Sequence, residues 1–358
     1  MTATAQINET LALMARFRAA ALAAPGLASF HPVGAMIEGL ETGVLRLGPD
    51  QAETVVFLTS GIHGAEQWAG TACQLDLLRS GALADLPQDV AIVLIHAANP
   101  IGAALGRRYT EENVDLCRNF MDFTTPLPQP APGYTALRAA FDAEPGQIAE
   151  ADAEIFAYAK AHGIAALYAA ALGGQYDDPQ GIGFGGQAPT RARILLQSIM
   201  RTHAEGAKRI HALDYHTGVG PYGYGSIIAM QKGAALARMR ALYGPWVLAP
   251  RDNPPPGFID VTGHSTDGYQ SLFPTAEVLA AVLEVGTLSQ EEFLRRLIAE
   301  HRATRAHGTH GEHPDLVAAR RALVDFFTPA DPDWRAYLLH RGQQTFRQIM
   351  KDIGYERS

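Results

Sequence analysis

Cysteine is nearly missing from this chain: Cys73 and Cys117 are the only two in 358 residues. Two lone thiols cannot build a disulfide framework, and neither belongs to a C-x-x-C pair, which excludes a thiolate zinc ribbon and a dithiol redox motif. A reducing compartment and a cytoplasmic location are the expectation. Positive charge is also scarce. Lys and Arg total 29 against 37 Asp and Glu, a net charge of −8, and no dense basic stripe occurs, so no nucleic-acid partner is expected. Long apolar runs are lacking too. Arg16 and Arg18 interrupt the N-terminal apolar stretch, and the following AALAAPGLASF is short and broken by Pro25 and Gly26, so no membrane partner is expected. There is no G-x-S-x-G elbow, and Ser265 in GHSTDG has the wrong spacing for one, which argues against a serine hydrolase.

What is present is a balanced globular composition, 47% hydrophobic and 18% charged, with enough apolar residues for a large core. Short aliphatic runs alternate with Ala/Leu/Arg-rich segments of helical length, the pattern of an α/β sheet flanked by helices. Strands are predicted over 43–47, 54–60, 90–97, 210–216, 226–230, 246–249 and 278–285. Several are continuously apolar, as strands covered on both faces must be. Helices are predicted over 5–24, 67–79, 134–143, 149–171, 190–205, 233–243, 290–307, 314–327 and 334–353. Two irregular stretches, 173–189 and 250–273, the latter holding Pro254, Pro255 and Pro256, are candidates for walls of a cleft. With no convincing linker, the expectation is a single catalytic domain over 1–358, an N-terminal helical segment within 1–30 and a C-terminal helical extension over 288–358.

The strongest chemical signal is TSGIHGAEQWAG, where a strand ending near Ser60 runs into a glycine-bounded turn carrying His63 and Glu66. An H-x-x-E spacing lets imidazole and carboxylate converge on one cation, and both are zinc ligands. Alone, this pattern is common by chance. His216, at the C-terminal end of the strand in HALDYHTG, offers a third ligand where ligands of open α/β sheets gather. Two histidines and a carboxylate leave one tetrahedral position for water, the composition of a catalytic zinc site. Asp214 is placed either to orient a ligand imidazole or to cap a turn. In VLAAVLEVGT, Glu284 interrupts an apolar strand; burial of its carboxylate demands a partner, either an arginine or a water that it serves as general base. In GRRYTEENVDLCRNF, Arg107, Arg108 and Arg118 either form surface ion pairs or supply donors for a substrate carboxylate and a developing oxyanion. His307, His310 and His313 of HGTHGEH are read as an exposed connection between helices, and His264 as a loop hydrogen-bonder.

Taken together, HGAE, VDLCRNF, DYHTG and LEVGT resemble, in order and context, the zinc carboxypeptidase superfamily, near its succinylglutamate desuccinylase and aspartoacylase branch. The resemblance spans about residues 54–287. It implies a mixed, mostly parallel central sheet flanked by helices, with extra C-terminal helices, of the phosphorylase/hydrolase-like kind. It also implies that His63, Glu66 and His216 bind zinc, that Glu284 is the general base and later proton donor, and that Arg118, followed by Asn119, grips a substrate carboxylate. Arg108 resembles the arginine that polarises the scissile carbonyl, with Arg107 as its competitor. Tyr222 and Tyr224 of PYGYG are candidates for the site tyrosine. Cys117 stands where the family's D-x-N-R-N element has Asn, and a thiol cannot replace an amide's donor and acceptor. The implied activity is zinc-dependent hydrolysis of an amide bond in a peptide or N-acyl amino acid. The alternative is a metal-binding module that has lost turnover.

Overall fold

Period-two alternation along the strands fixes which side chains meet which layer of helices, and so fixes where the polar exceptions point. The computed structural model describes residues 3–34, 37–252 and 261–355. Its sheet has seven strands: β1 (Leu27–Pro32), β2 (Glu41–Leu47), β3 (Thr54–Ser60), β4 (Val90–His96), β5 (Arg209–Gly218), β6 (Gly225–Ala229) and β7 (Glu277–Gly286), in the order β1-β2-β4-β3-β5-β7-β6. The four central strands β4, β3, β5 and β7 run parallel, while β1, β2 and β6 join antiparallel at the two sides. The fold is therefore a mixed, mostly parallel α/β sheet.

The helices are α1 (Ala3–Ala23), α2 (Gln67–Arg79), α3 (Pro100–Ala104), α4 (Pro132–Phe141), α5 (Ile148–His162), α6 (Ile164–Leu172), α7 (Arg191–Ala204), α8 (Gly233–Tyr243), α9 (Ser265–Leu272), α10 (Gln290–His307), α11 (Pro314–Phe327) and α12 (Pro332–Asp352). On one face of the sheet, Val56 and Leu58 of β3, Tyr215 of β5 and Leu283 of β7 pack against α1, α2, α8 and α12. On the other, Val55 and Phe57 of β3, Ala212 of β5 and Ala280 of β7 pack against α7 and α9. A separate apolar cluster joins α4, α5, α6, α10 and α11 through Tyr134, Leu167, Phe293 and Phe326.

Three expectations are corrected. The segment 246–249 is not a strand: Leu248 makes a single bridge to Ile228, and Trp246 is exposed. The helix expected over 149–171 is two helices, because Gly163 sits at φ +88° and turns the chain between α5 and α6. The stretch expected to be irregular after residue 250 contains α9, capped by the His264 side chain on Thr266 N; Pro254, Pro255 and Pro256 lie outside the described residues. The C-terminal helices are part of the core, since Trp334, Leu338 and Phe346 of α12 are buried on the sheet. No helix of the described residues is long and apolar enough to cross a membrane.

Candidate metal centre

The site is built where β3, β5 and β7 end. After β3, Gly61 at φ +72° reverses the chain, and Gly64–Glu66 forms one 3-10 turn that runs into α2. Residues three apart eclipse in such a turn, which stacks His63 over Glu66. The turn is pinned from outside: Gly64 N–H donates to Arg108 O (3.3 Å) and Ala65 N–H to Arg107 O (2.8 Å). A Cβ on Gly64 would lie 2.2 Å from Ala103 N and from Gly102 C, so only glycine allows this approach.

His216 comes from β5. It is the register partner of Glu284 on β7, and even spacing puts both on the face that carries Ala212 and Ala280. His63 Nδ1 lies 2.8 Å from Glu66 Oε1 and 3.2 Å from His216 Nδ1, and His216 Nδ1 lies 3.2 Å from Glu66 Oε2. Glu66 Oε2 also accepts from Thr217 N–H at 3.0 Å. All four of His63, Glu66, His216 and Glu284 are buried.

The remaining charges hold this cluster. Asp115 opens a second 3-10 turn, Leu116–Arg118, and its Oδ1 accepts from Cys117 N–H (3.0 Å) and from His63 Nε2 (3.1 Å). The His63 ring is thus held between two carboxylates, Asp115 at Nε2 and Glu66 at Nδ1. Asp115, not Asp214, is thus the carboxylate that orients a predicted ligand imidazole. Asp214 lies behind the site and accepts from Ser265 Oγ at 2.8 Å. Arg108 donates from Nε to Asp115 Oδ2 (3.0 Å) and from Nη1 to Glu66 Oε1 (3.3 Å), leaving Nη2 without a partner among the described residues. Arg107 is directed away into a buried ion pair with Glu300 (2.9 Å), so of the two competing arginines it is Arg108 that faces the cluster.

The field follows from this geometry. Burial and Arg108 oppose a charge on His63, but Glu66, Asp115 and Cys117 outweigh them and push its imidazole up to about 9. Burial raises Glu66, yet His63 and His216 hold it well below the usual carboxylate range. Glu284 goes the other way. Burial, then the like charge of Glu66, pushes it up to about 7, with His216 and the Val219 N–H bond (2.9 Å) opposing. One carboxylate is held as an anion and the other is poised to exchange a proton near neutral pH, a division suited to a ligand and a base.

The donor set fits a divalent cation. The Nδ1 atoms of His63 and His216 and both oxygens of Glu66 lie within 3.2 Å of one another in succession, an imidazole and carboxylate donor set of the kind that binds zinc. His216 Nε2 is buried with no hydrogen-bond partner of standard geometry among the described residues. Cys117 joins the same group: one ligating atom each from His63, Cys117 and His216 lies within 4.8 Å of the others.

The other predicted residues fall into two sets. Arg118 is buried beside the cluster, donating from Nε to Leu172 O (2.9 Å) and from Nη1 to Cys117 O (3.0 Å). Asn119, expected to bind substrate, is instead saturated by backbone: its amide donates to Gly185 O and Ala188 O and accepts from Thr190 N–H. It ties the 173–189 loop, which leans on Asp115 through Phe184 O, to this wall of the site. Tyr222 and Tyr224 are exposed, and the Tyr222 hydroxyl donates to Asp331 at 2.8 Å. A tyrosine that sequence reasoning missed is closer to the charges: Tyr168 of α6, pushed up to about 12 by burial, senses Arg108, Glu284, Arg118 and Glu66. Its Ala-rich helix gave no signal. In the HGTHGEH connection, His307 and His313 stack at 3.8 Å, and His313 caps α11; His264 is the expected loop hydrogen-bonder.

The chain belongs to a family described as a protein of unknown function (DUF2817), whose model matches residues 12–341. No curated protein matches it. Solved structures similar to it include carboxypeptidase A from Helicoverpa armigera, at 11% identity over 92% of this chain and 70% of that one, with a TM-score of 0.49. Another is a metallo-carboxypeptidase from Pseudomonas aeruginosa in complex with (2-guanidinoethylmercapto)succinic acid, at 14% identity, 92% and 68% coverage and a TM-score of 0.42. A third is the product-bound ectoine utilization protein EutE (DoeB) from Ruegeria pomeroyi, at 13% identity, 93% and 67% coverage and a TM-score of 0.43.

Proposed function

We propose that this protein is a zinc-dependent hydrolase that cleaves an amide bond in a carboxylate-bearing substrate, a peptide C-terminus or an N-acyl amino acid. The observation that carries the reading is the convergence of His63, Glu66 and His216, with Asp115 held against His63 Nε2 and Glu284 in register beside His216. Zinc, when bound by these three, supplies Lewis acidity and makes water acidic enough to lose a proton near neutral pH. Glu284 takes the proton of the attacking water and delivers it to the departing amine. Val219 N–H holds one Glu284 oxygen, which leaves the other to receive that proton. Arg108 Nη2 has no hydrogen-bond partner among the described residues and is the donor for a developing oxyanion. Arg118 supplies the cation for the substrate carboxylate, and its Nε and Nη1 bonds to Leu172 O and Cys117 O fix the guanidinium plane.

The test begins with metal content. Purified protein is expected to carry about one zinc per chain, and His63→Ala is expected to lose most of it. Metal-loaded protein is then screened on free-carboxylate peptides and N-acyl amino acids with and without a chelator. Hydrolysis that survives complete metal removal would overturn the reading.

A further inference from the structure

One buried side chain in the cluster has no part in the chemistry just described, and it is the residue by which this sequence departs from the motif it resembles. We infer that the Cys117 sulfur is itself a ligand of the ion held by His63 and His216, so that the donor set contains a thiolate. This rests on the metal reading above.

Three observations carry it. The ligating atoms of His63, Cys117 and His216 lie within 4.8 Å of one another, with the three residues 4%, 1% and 4% exposed. The backbone of Cys117 is held by the carboxylate that also holds the His63 ring, because Asp115 Oδ1 accepts from Cys117 N–H at 3.0 Å and lies 3.1 Å from His63 Nε2. The sulfur is therefore positioned by the same device as the imidazole. Finally, Sγ lies against the His63 and His216 imidazoles, and a further polar neighbour, Ser265 Oγ at 3.4 Å, gives its proton to Asp214 at 2.8 Å, so the hydroxyl does not engage the sulfur lone pairs.

Charge balance agrees. Asp115 is neutralised by Arg108, to which it is bonded at 3.0 Å. That leaves Glu66 and a Cys117 thiolate as two anionic donors for one divalent ion, and with four protein ligands the attacking water would take a fifth coordination position. On binding, the Cys117 S–H bond breaks, its proton leaves to solvent, and the electron pair goes to the ion, with no change of oxidation state. A sulfur donor shifts the preference of the site toward softer ions such as zinc and cadmium and away from magnesium and manganese.

The experiment uses the full chain loaded with cobalt(II) alone, followed by absorption spectroscopy. The expected result is stoichiometric cobalt and a sulfur-to-cobalt charge-transfer band in the near ultraviolet. The band disappears in Cys117→Ser while the metal stays bound. X-ray absorption on the zinc-loaded wild type, which needs no variant, is expected to show a sulfur neighbour at about 2.3 Å. Stoichiometric metal with only nitrogen and oxygen neighbours, or a charge-transfer band that persists in Cys117→Ser, overturns this inference and leaves the hydrolase reading standing. Failure to bind cobalt or zinc at all overturns both.

Discussion

His216 on β5 and Glu284 on β7 are register partners across a parallel pair, and both emerge on the face shared with α7 and α9. A residue inserted into either strand before that point would flip one of the two to the opposite face. The spatial relation between the proposed metal ligand and the proposed base is thereby set by strand pairing, not by a loop.

Glu284→Gln keeps the shape and the acceptor for Val219 N–H but cannot take a proton. Metal content is expected to stay at the wild-type level while turnover falls by about 10²–10⁴, the usual contribution of a general base. Metal analysis and kcat on the best substrate check both halves, and a fully active variant would remove Glu284 from the role.

Arg118→Ala removes a charged donor from a buried wall. Charged hydrogen bonds contribute about 1.5–3 kcal/mol, so kcat/KM for a free-carboxylate substrate is expected to fall roughly ten- to a hundredfold more than for its amidated analogue. The comparison between the two substrates cancels any loosening of Leu172. Equal losses on both would show that Arg118 does not read the carboxylate.

Gly64→Ala tests the turn. The added methyl meets backbone atoms of Ala103 and Gly102, which cannot swing away as a side-chain tip can. Unfolding measurements are expected to show a loss of about 1–3 kcal/mol, as overpacking typically costs. Metal affinity should fall as well, because His63 and Glu66 ride on this turn.

His96 gives the protein an acid-sensitive core. Its ring stacks on Phe17 at 4.5 Å, and Thr71, whose hydroxyl proton goes to Gln67 O, accepts from Nδ1 at 3.0 Å. Nε2 is thus the lone-pair nitrogen, and burial pushes the group down to about 3. The folded state holds His96 neutral, whereas the unfolded chain protonates it below about 6.5. Its contribution is complete above that pH and declines as pH falls toward 3, by at most about 1.4 kcal/mol per unit. Thermal unfolding of His96→Asn is expected to show a shallower loss between pH 6.5 and 4 than the wild type; parallel curves would count against it.

Much of this was legible in the sequence because burial on both faces leaves continuous apolar runs, as in β3, whose Thr54–Ser60 bounds match the predicted strand. Strand β1 was not legible: it pairs only with β2 at the side of the sheet and is half-exposed, so its composition carries no such run. The eight residues of α9 were hidden by Gly268 inside a polar stretch, though His264 and Asp267 were available as start signals. In the site, residues with short-range spacing such as His63 and Glu66 declare themselves. Asp115 does not, because its partners His63 and Arg108 are met only after folding. Asn119 misled for the converse reason, its amide being consumed by a loop far along the chain.

Trp334, fully buried on α12, donates its indole N–H to Gly286 O at 2.8 Å, two residues past Glu284. Synthesis from the N-terminus makes every strand of the sheet before it makes this helix. A nascent chain therefore carries an uncovered greasy flank along β5, β6 and β7 until α12 leaves the ribosome, and the strand that carries Glu284 is latched only then.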